Sequence, residues 1–425
     1  MNDGRKVILG QLIDFYREEL EEKYGPDVWG VDQFLLVNNR KNSEIICSRA
    51  TYYRLISGNS IKTLTYHDLI RKLGYIYQSF DVIDEELHGI LEELYQAVFY
   101  LDKNRLTKLR ERIDRLFIEA KNYFYYQDVY KVICFIIEIH SDELHSFNND
   151  EVTHIEKVSG ILKCFDFSIL VYTCLVYEVN YTMNLKRLAV LYSKLPSYEE
   201  CDDPLVLFSI VYKHNNSMEI ELARQAITKL KKLIPKDNYN FVMRVRLREL
   251  YFIYYFHSST ADEEYLDTYK YIQDHPLISS RVQKNFHYNY AMYLLSKGRR
   301  EYAIAAFDRF FVVDDMFDIY AEAISAMCHV QLGKKITRIH DLEKLDYSNM
   351  YSCILEYCVL KDNASDINDI LKVIEKKITP KYTEKLPDDV KRFLRQEIMW
   401  IATKTRRHKM LTDFMLQEMK KLDKN

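Results

Sequence analysis

The stretch CSRATYYRLISG, residues 47–58, carries a helix-start signal and a helix-stop signal in quick succession. Ser48 is a good amino-terminal cap, and Gly58 can end a helix in the left-handed conformation. We therefore expect a short helix over Ser48 to Ser57. Its expected outward side chains are Arg49, Thr51, Tyr52 and Arg54, and its expected inward side chains are Ala50, Tyr53, Leu55 and Ile56.

Basic residues are concentrated around this helix. Residues 38–75 contain seven Lys or Arg and two Asp or Glu. The preceding 37 residues contain only four Lys or Arg but eight Asp or Glu. A local basic patch on a chain of net charge -3 is typical of a DNA-contacting module on a body that does not bind DNA. We expect Arg49 to contact a base edge, with Thr51 and Tyr52 beside it. Ser48 caps the helix, and the expected phosphate contacts are Arg54, Asn59, Ser60 and Lys62.

The flanking sequence predicts a small helical domain over residues 1–80. Apolar periodicity indicates further helices at Val7 to Lys23, at Val31 to Val37 and at Tyr66 to Leu73, with Thr65 as the cap of the last. Another helix is expected from about Ile83. In a helix-turn-helix unit, the recognition helix offers its amino-terminal side chains to base edges.

Composition predicts an all-α chain. Only 10 Gly and 7 Pro occur among 425 residues, which leaves few places for strand turns. The eight cysteines form no CxxC pair and are expected to be reduced and buried, and no apolar run approaches the length of a membrane span. Phosphate-binding, dinucleotide and nucleophile motifs are missing from the sequence. We expect a cytosolic protein that is not an enzyme and uses no metal or cofactor.

Residues 81–425 are expected to form a solenoid of helical hairpins. In the clearest unit, Asn285 to Val313, Ala291 and Gly298 take the small and turn positions of a tetratricopeptide repeat, and Ala326 and Gly333 repeat them 35 residues later. The expected hairpins are Leu91 to Lys121, Phe124 to Leu162, Phe165 to Leu195, Leu205 to Ile234, Phe241 to Gln273, Val282 to Val313, Ile319 to Leu345, Met350 to Ile378 and Val390 to Leu422.

The Ser48 to Gly58 segment with SIKTLTYHDLIRKLG after it resembles an Xre-type helix-turn-helix. The plan of a DNA-binding head followed by repeats resembles the Rgg, PlcR and PrgX group of peptide-pheromone receptors used in quorum sensing. The resemblance implies a homodimeric transcription regulator that binds double-stranded DNA and takes a short peptide in the concave face of its repeats. The residues it places at that face are Asn285, Tyr288, Asn289, Met292, Tyr320, Met327 and Gln331.

Arg244 and Arg248 are a further candidate for ligand binding, because four residues apart they share one helix face and could hold a carboxylate. Two alternatives stay open at this point. The arginines could form internal salt bridges, and Asn285 and Asn289 could be solvated or could bond between helices. The whole chain could also be a protein-interaction scaffold that sequesters a regulatory partner without binding DNA.

Overall fold

The computed structural model describes residues 3–37, 44–59, 61–141, 147–182, 184–255, 259–313, 318–338, 342, 345–381 and 386–406. Regular structure in these ranges is helical, apart from one isolated antiparallel bridge between Leu36 and Ile45. The predicted all-α class is therefore confirmed. None of the described helices combines the length and the apolar character needed to cross a membrane.

The chain divides into two compact units, Met1–Val245 and Arg246–Asn425, and the division falls inside one helix, Tyr239–Tyr255. The boundary expected at residue 80 lies within the first unit. The helices of the amino-terminal region are α1 (Asp3–Tyr24), α2 (Pro26–Trp29), α3 (Val31–Phe34), α4 (Arg49–Ile56) and α5 (Thr63–Lys72).

Both ends of α4 follow the local sequence signals. The Ser48 side chain accepts a hydrogen bond from the Thr51 amide at 3.2 Å, and Gly58 has a φ of 84°. The prediction that Thr65 caps α5 is wrong, because that helix begins at Thr63 and its cap residue, Lys62, has no side-chain cap bond. Lys62 takes the extended backbone conformation that a cap needs, so the helix starts without a capping side chain.

The helix expected over Val31 to Val37 ends early, at Phe34. After it the backbone pairs with the segment that enters α4, because the Val37 amide donates to the Glu44 carbonyl at 2.8 Å and the Ile46 amide donates to the Leu35 carbonyl at 2.8 Å. Residues 38–43, which lie between these pairs, are outside the described ranges.

The remaining helices of the first unit pair along the chain, as the expected hairpins require. Neighbours α6 and α7, α8 and α9, α10 and α11, and α12 and α13 are in contact. Asn148 starts α9 with a reciprocal capping box to Glu151. These helices are α6 (Asp81–Tyr100), α7 (Lys103–Leu116), α8 (Tyr126–Ser141), α9 (Asn149–Leu162), α10 (Phe167–Tyr177), α11 (Leu185–Ser193), α12 (Pro204–Asn216), α13 (Ile220–Leu233) and α14 (Tyr239–Tyr255).

In the second unit, Gly298 and Gly333 both have positive φ values, 72° and 63°, and Ala291 and Ala326 are both buried, as the repeat pattern predicts. The hairpin expected over Ile319 to Leu345 is wrong in its second half, because residues 334–338 are not helical. The helices here are α15 (Ala261–Asp274), α16 (Ser280–Ser296), α17 (Arg300–Val313), α18 (Ile319–Leu332), α19 (Met350–Asp362), α20 (Ile367–Val373) and α21 (Asp388–Thr405).

Candidate functional site

Helix α4 lies directly on the backbone of α1. A Cβ atom added to Gly10 of α1 would lie 2.4 Å from the Leu55 carbonyl oxygen, and one added to Gly58 would lie 3.1 Å from a Val7 methyl carbon. Leu55 is fully buried at this crossing. Glycine at position 10 therefore sets how closely α4 approaches α1.

The orientation expected for the two tyrosines of α4 is wrong. Tyr52 is fully buried, whereas Tyr53 is 56% exposed. The Tyr52 hydroxyl donates to Asp14 Oδ1 at 2.7 Å, and Arg17 Nε donates to the Tyr52 hydroxyl at 3.1 Å. Burial, with the neighbouring Asp14 carboxylate, raises the pKa of Tyr52. A buried tyrosine needs a partner for its hydroxyl, and α1 supplies that partner beneath position 52.

The exposed side of α4 also differs from expectation at Ala50, which is exposed, and at Ile56, which is half-buried. Thr51 is half-buried, and its hydroxyl lies 3.0 Å from the Ser48 hydroxyl, so both side chains belong to the cap. We use the term α4 face for the four side chains that α4 leaves exposed, namely Arg49, Ala50, Tyr53 and Arg54.

Arg49 is held by an internal carboxylate. Its Nε and Nη2 donate to the two carboxylate oxygens of Asp32 on α3, and both side chains are about 60% exposed. Hydrogen bonding to Arg49 lowers the pKa of Asp32. An exposed ion pair contributes little to stability, because water screens the two charges. Another acceptor can therefore replace Asp32 at little cost.

The other predicted phosphate contacts differ in their surroundings. Arg54 and Lys62 are exposed, and neither forms an ion pair with any residue that the structure describes. Asn59 donates from Nδ2 to the Ser57 hydroxyl at 3.1 Å, and Ser60 lies outside the described residues. Arg71, at the end of α5, is exposed, and its Nη1 lies 3.6 Å from Asp68 Oδ1. Arg54 and Lys62 are therefore the predicted phosphate contacts that keep an exposed positive charge without a carboxylate partner among the described residues.

Helix α1 also packs against α8 and α9 on its other side. The Tyr16 hydroxyl donates to Asp128 Oδ1 at 2.7 Å, and His154 Nδ1 lies 3.1 Å from a Glu19 carboxylate oxygen. His154 Nε2 is 3.8 Å from Asp128 Oδ1. Burial alone lowers the pKa of His154, but the carboxylates of Asp128 and Glu19 outweigh it and raise that pKa above its ordinary value of 6.5.

Arg5 makes a second link between α1 and the helices that follow. It donates from Nη2 to Asp84 Oδ1 at 2.7 Å and from Nη1 to the Tyr126 hydroxyl at 3.2 Å. Its guanidinium lies 3.7 Å from the centre of the Tyr125 ring. Helix α1 therefore packs against α4 and also bonds to α6 and α8, the first helices of the hairpins that follow.

Three of the seven residues expected at the concave face come together in the second unit. Met292, Met327 and Gln331 line a small cavity of about 30 Å³, which is closed on one side by the first turn of α21. Met327 is buried in the core, and Gln331 Oε1 accepts a hydrogen bond from Arg300 Nε at 2.7 Å. A space of this size holds about one water molecule.

The other four lie elsewhere on the same helices. Tyr288 packs on Phe307 and Phe310, with ring centres 6.3 and 5.9 Å apart, and burial raises its pKa to about 12. Tyr320 is 48% exposed, and its ring centre lies 4.6 Å from that of Tyr351 on α19. The two amide residues are exposed on α16, four positions apart, at Asn285 and Asn289.

Arg244 and Arg248 both lie on α14, but the boundary between the two units falls between them. Arg244 belongs to the amino-terminal unit and Arg248 to the carboxy-terminal unit. The Arg244 guanidinium lies over the rings of Tyr172 and Phe208, 5.5 and 5.3 Å from their centres. Arg248 is half-buried. Arg244 therefore packs against aromatic rings of α10 and α12 within its own unit.

Sequence reasoning missed Gly10, Asp32 and Tyr351. Gly10 had a usable signal, because an isolated glycine inside an apolar helical pattern often marks close packing. Asp32 and Tyr351 had none, since their partners are distant in sequence. In the described part of the chain, no three His, Cys, Asp or Glu side chains are arranged to hold a metal ion. No protein-family model, curated protein or solved structure matches this chain.

Proposed function

We propose that this chain is a cytosolic DNA-binding transcription regulator controlled by a ligand, most simply a short signalling peptide. The observation that carries the proposal is the setting of α4. It is a capped helix whose buried side is fixed to α1 and whose exposed α4 face presents two arginines. Two further exposed basic residues, Lys62 and Arg71, follow α4 along the chain.

The chemistry of the α4 face suits the major groove of DNA. The groove admits an α-helix, and an arginine fork can bond to O6 and N7 of guanine. Arg49 supplies such a fork at the first turn of α4. Ala50 and Tyr53 can contact the methyl group of thymine, while Arg54, Lys62 and Arg71 can hold phosphate. In this proposal α4 is the recognition helix of a helix-turn-helix, and Tyr53 replaces the buried Tyr52 at the interface.

Two copies of such a head would be needed for a site of useful length. A two-fold homodimer places its recognition helices about 34 Å apart or a multiple of it, so its target would be palindromic. The helices from α6 onward would form the tetratricopeptide-like body that joins the two copies and carries the ligand.

DNA binding can be tested with a fluorescent duplex selected from a random pool, by fluorescence anisotropy over a range of salt. Arg49→Ala is expected to lower the free energy of DNA binding by about 1–3 kcal/mol and to relax the preference for one base. Arg54→Ala should make the plot of log binding constant against log salt concentration shallower by about 1. Arg224→Ala, on the exposed side of α13, is the matched control. Unchanged affinity and slope in both α4 variants would favour the protein-interaction scaffold instead.

Asp32 provides an opposite test on the same duplex. Asp32→Asn frees the Arg49 fork, and we expect tighter binding at low salt, by about threefold to tenfold. Asp27→Asn removes an exposed carboxylate of α2 that makes no contact with Arg49, so it controls for net charge. Equal gains in the two variants would show that the Asp32 contact is irrelevant to binding.

The proposed peptide site rests on the exposed amides of Asn285 and Asn289. Side-chain amides four residues apart on one helix can bond to the backbone of an extended peptide. Tyr320, at the start of α18, adds an exposed aromatic ring. We expect a low-mass fraction of culture supernatant to shift DNA binding, and protease treatment of that fraction to abolish the shift. A response that survives protease, or that survives Asn285→Ala with Asn289→Ala, would remove the peptide from the proposal.

A further inference from the structure

Helix α18 buries a polar stripe. Glu322, Ser325 and His329 are only 3%, 5% and 5% exposed, and their spacing places them with Ala326 on one side of the helix. Met327 and Gln331 face the opposite side. A buried charged side chain is far more informative than a buried apolar one, because its desolvation must be compensated.

The stripe borders a cavity of about 200 Å³, which we call the α18 cavity. Its outer wall is the non-helical segment that follows Gly333, held to α19 by a bond from the Ile336 amide to Asp362 Oδ2 at 3.2 Å. The space equals that of several water molecules, which is also enough for a small organic molecule. The lining residues that carry the argument are Asp308, Val312, Glu322, Ser325, His329 and Arg338.

The lining is richer in acceptors than in donors. Arg338 Nε lies 2.7 Å from Glu322 Oε1, and the same guanidinium lies 4.6 Å from the centre of the Phe311 ring. His329 Nδ1 must donate to the Ser325 carbonyl at 2.9 Å, so Nε2 is the ring nitrogen that this bond leaves for a ligand. Asp308 and Glu322 supply two carboxylates against one guanidinium, which leaves the lining with a net negative charge.

We propose that the α18 cavity binds the primary ammonium group of a small amine. An ammonium group has three donors and no acceptor, and its positive charge matches the excess of carboxylate. Two kinds of ligand carry such an ammonium group, namely a free aliphatic amine and the amino terminus of a short peptide. The α18 cavity involves no residue of α4 and borders the side of α18 opposite Met327, so the proposal goes beyond the function proposed above and does not depend on it.

The experiment measures binding to the full chain by calorimetry, with n-butylamine and glycylglycine as the two ammonium probes. Both amines are mostly protonated at neutral pH. n-Butanol is the uncharged control for the first probe. We expect saturable binding of at least one ammonium probe and no binding of n-butanol. The probe that binds identifies the source of the ammonium group, whereas failure of both, or equal binding of n-butanol, overturns the proposal.

Two exposed valines give a matched pair of variants. Val312 lines the α18 cavity and is 86% exposed, and Val190 on α11 is 56% exposed in the other unit. Val312→Lys places a positive charge at the entrance without disturbing the core, so it should weaken ammonium binding by about fivefold or more. Val190→Lys should leave binding unchanged. Equal affinities in these two variants overturn the assignment.

Glu322→Gln tests the buried carboxylate itself, and its loss should weaken binding by about tenfold or more. The variant could misfold because Arg338 loses its partner, and circular dichroism checks this directly. If it does misfold, the Val312→Lys and Val190→Lys pair decides the outcome without it. A folded Glu322→Gln variant that binds as tightly as the parent chain also overturns the proposal.

Discussion

Tyr52 and Tyr53 are adjacent on α4 and have opposite environments. The first lies over Asp14 and Arg17, and the second is exposed on the α4 face. Tyr52→Phe removes the hydroxyl that bonds to Asp14 and to the buried Arg17. Because these two side chains lose a hydrogen-bond partner, we expect a loss of about 1–3 kcal/mol in the free energy of unfolding. Tyr53→Phe should change it by less than about 0.5 kcal/mol. Urea unfolding of the two variants makes the comparison, and equal losses would contradict the burial of Tyr52.

Gly10 sets the distance between α1 and α4. Gly10→Ala would force the new methyl group to within 2.4 Å of the Leu55 carbonyl, and we expect destabilisation of about 1–3 kcal/mol. Gly89→Ala on α6 is the control, because a Cβ there meets nothing within 4 Å. The control should gain about 0.5–1 kcal/mol from its better helix propensity. A neutral Gly10→Ala variant would show that α4 does not lie against α1.

Local signals gave the ends of α4 correctly but not its orientation. Ser48 and Gly58 act through their own backbone neighbours, so the cap and the stop could be predicted from sequence. The side of the helix that faces inward is decided by Asp14 and Arg17, which lie more than 30 residues earlier. Either tyrosine fits the apolar spacing, and only the polar partner beneath Tyr52 selects between them.

At the scale of elements, most hairpins could be predicted because long apolar periodicity determines them. The segment after α18 could not. Lys334 and Lys335 precede Ile336 and Thr337, β-branched residues with low helix propensity, and Asp362 and Glu322 bind this segment in a non-helical form. Those partners come from neighbouring helices, so the sequence of the segment alone does not identify them.

The contact of α1 with α8 and α9 should depend on pH through His154. Its folded-state pKa is raised, so protonation stabilises the folded chain, fully below the ordinary value of 6.5 and progressively less as pH rises through the folded value. The groups that face it are Tyr16 and Glu19 of α1 and Asp128 of α8.

The measurement is the free energy of unfolding of the parent chain minus that of His154→Gln, across neutral pH. We expect the difference to be largest on the acid side and to shrink as pH rises. Glu19→Gln should reduce this pH dependence, since it removes one of the two carboxylates that hold the imidazolium. A difference that grows with pH would mean that burial, and not the carboxylates, controls His154.

At the scale of the whole molecule, the amino-terminal helices are integrated with the hairpins that follow them. Tyr16 and Arg5 of α1 take their partners from α6 and α8, and Phe124, two residues before α8, donates its amide to the Ile76 carbonyl at 2.9 Å. A fragment of residues 1–80 would lose these partners. We expect it to melt at a lower temperature and less cooperatively than residues 1–245, which form a compact unit.

Thermal melts followed by circular dichroism can compare the two fragments at equal concentration. Arg5→Ala in the longer fragment is a useful third sample, because it removes the ion pair with Asp84 and the stacking on Tyr125 while leaving the hairpins in place. Its melting temperature should fall between the other two. A fragment of residues 1–80 that melts as cooperatively as residues 1–245 would contradict the integration of α1 with the hairpins.

The pairing of Arg49 with Asp32 has a kinetic consequence if α4 enters DNA as proposed. An internal carboxylate competes with every acceptor that the protein meets on DNA, so the Arg49 fork leaves Asp32 for longest where O6 and N7 of a guanine are held in place to take both of its bonds. Random sites vastly outnumber specific ones in a genome. A self-contact of this kind would shorten the dwell time on random duplex more than on the target, and so would speed the search along DNA.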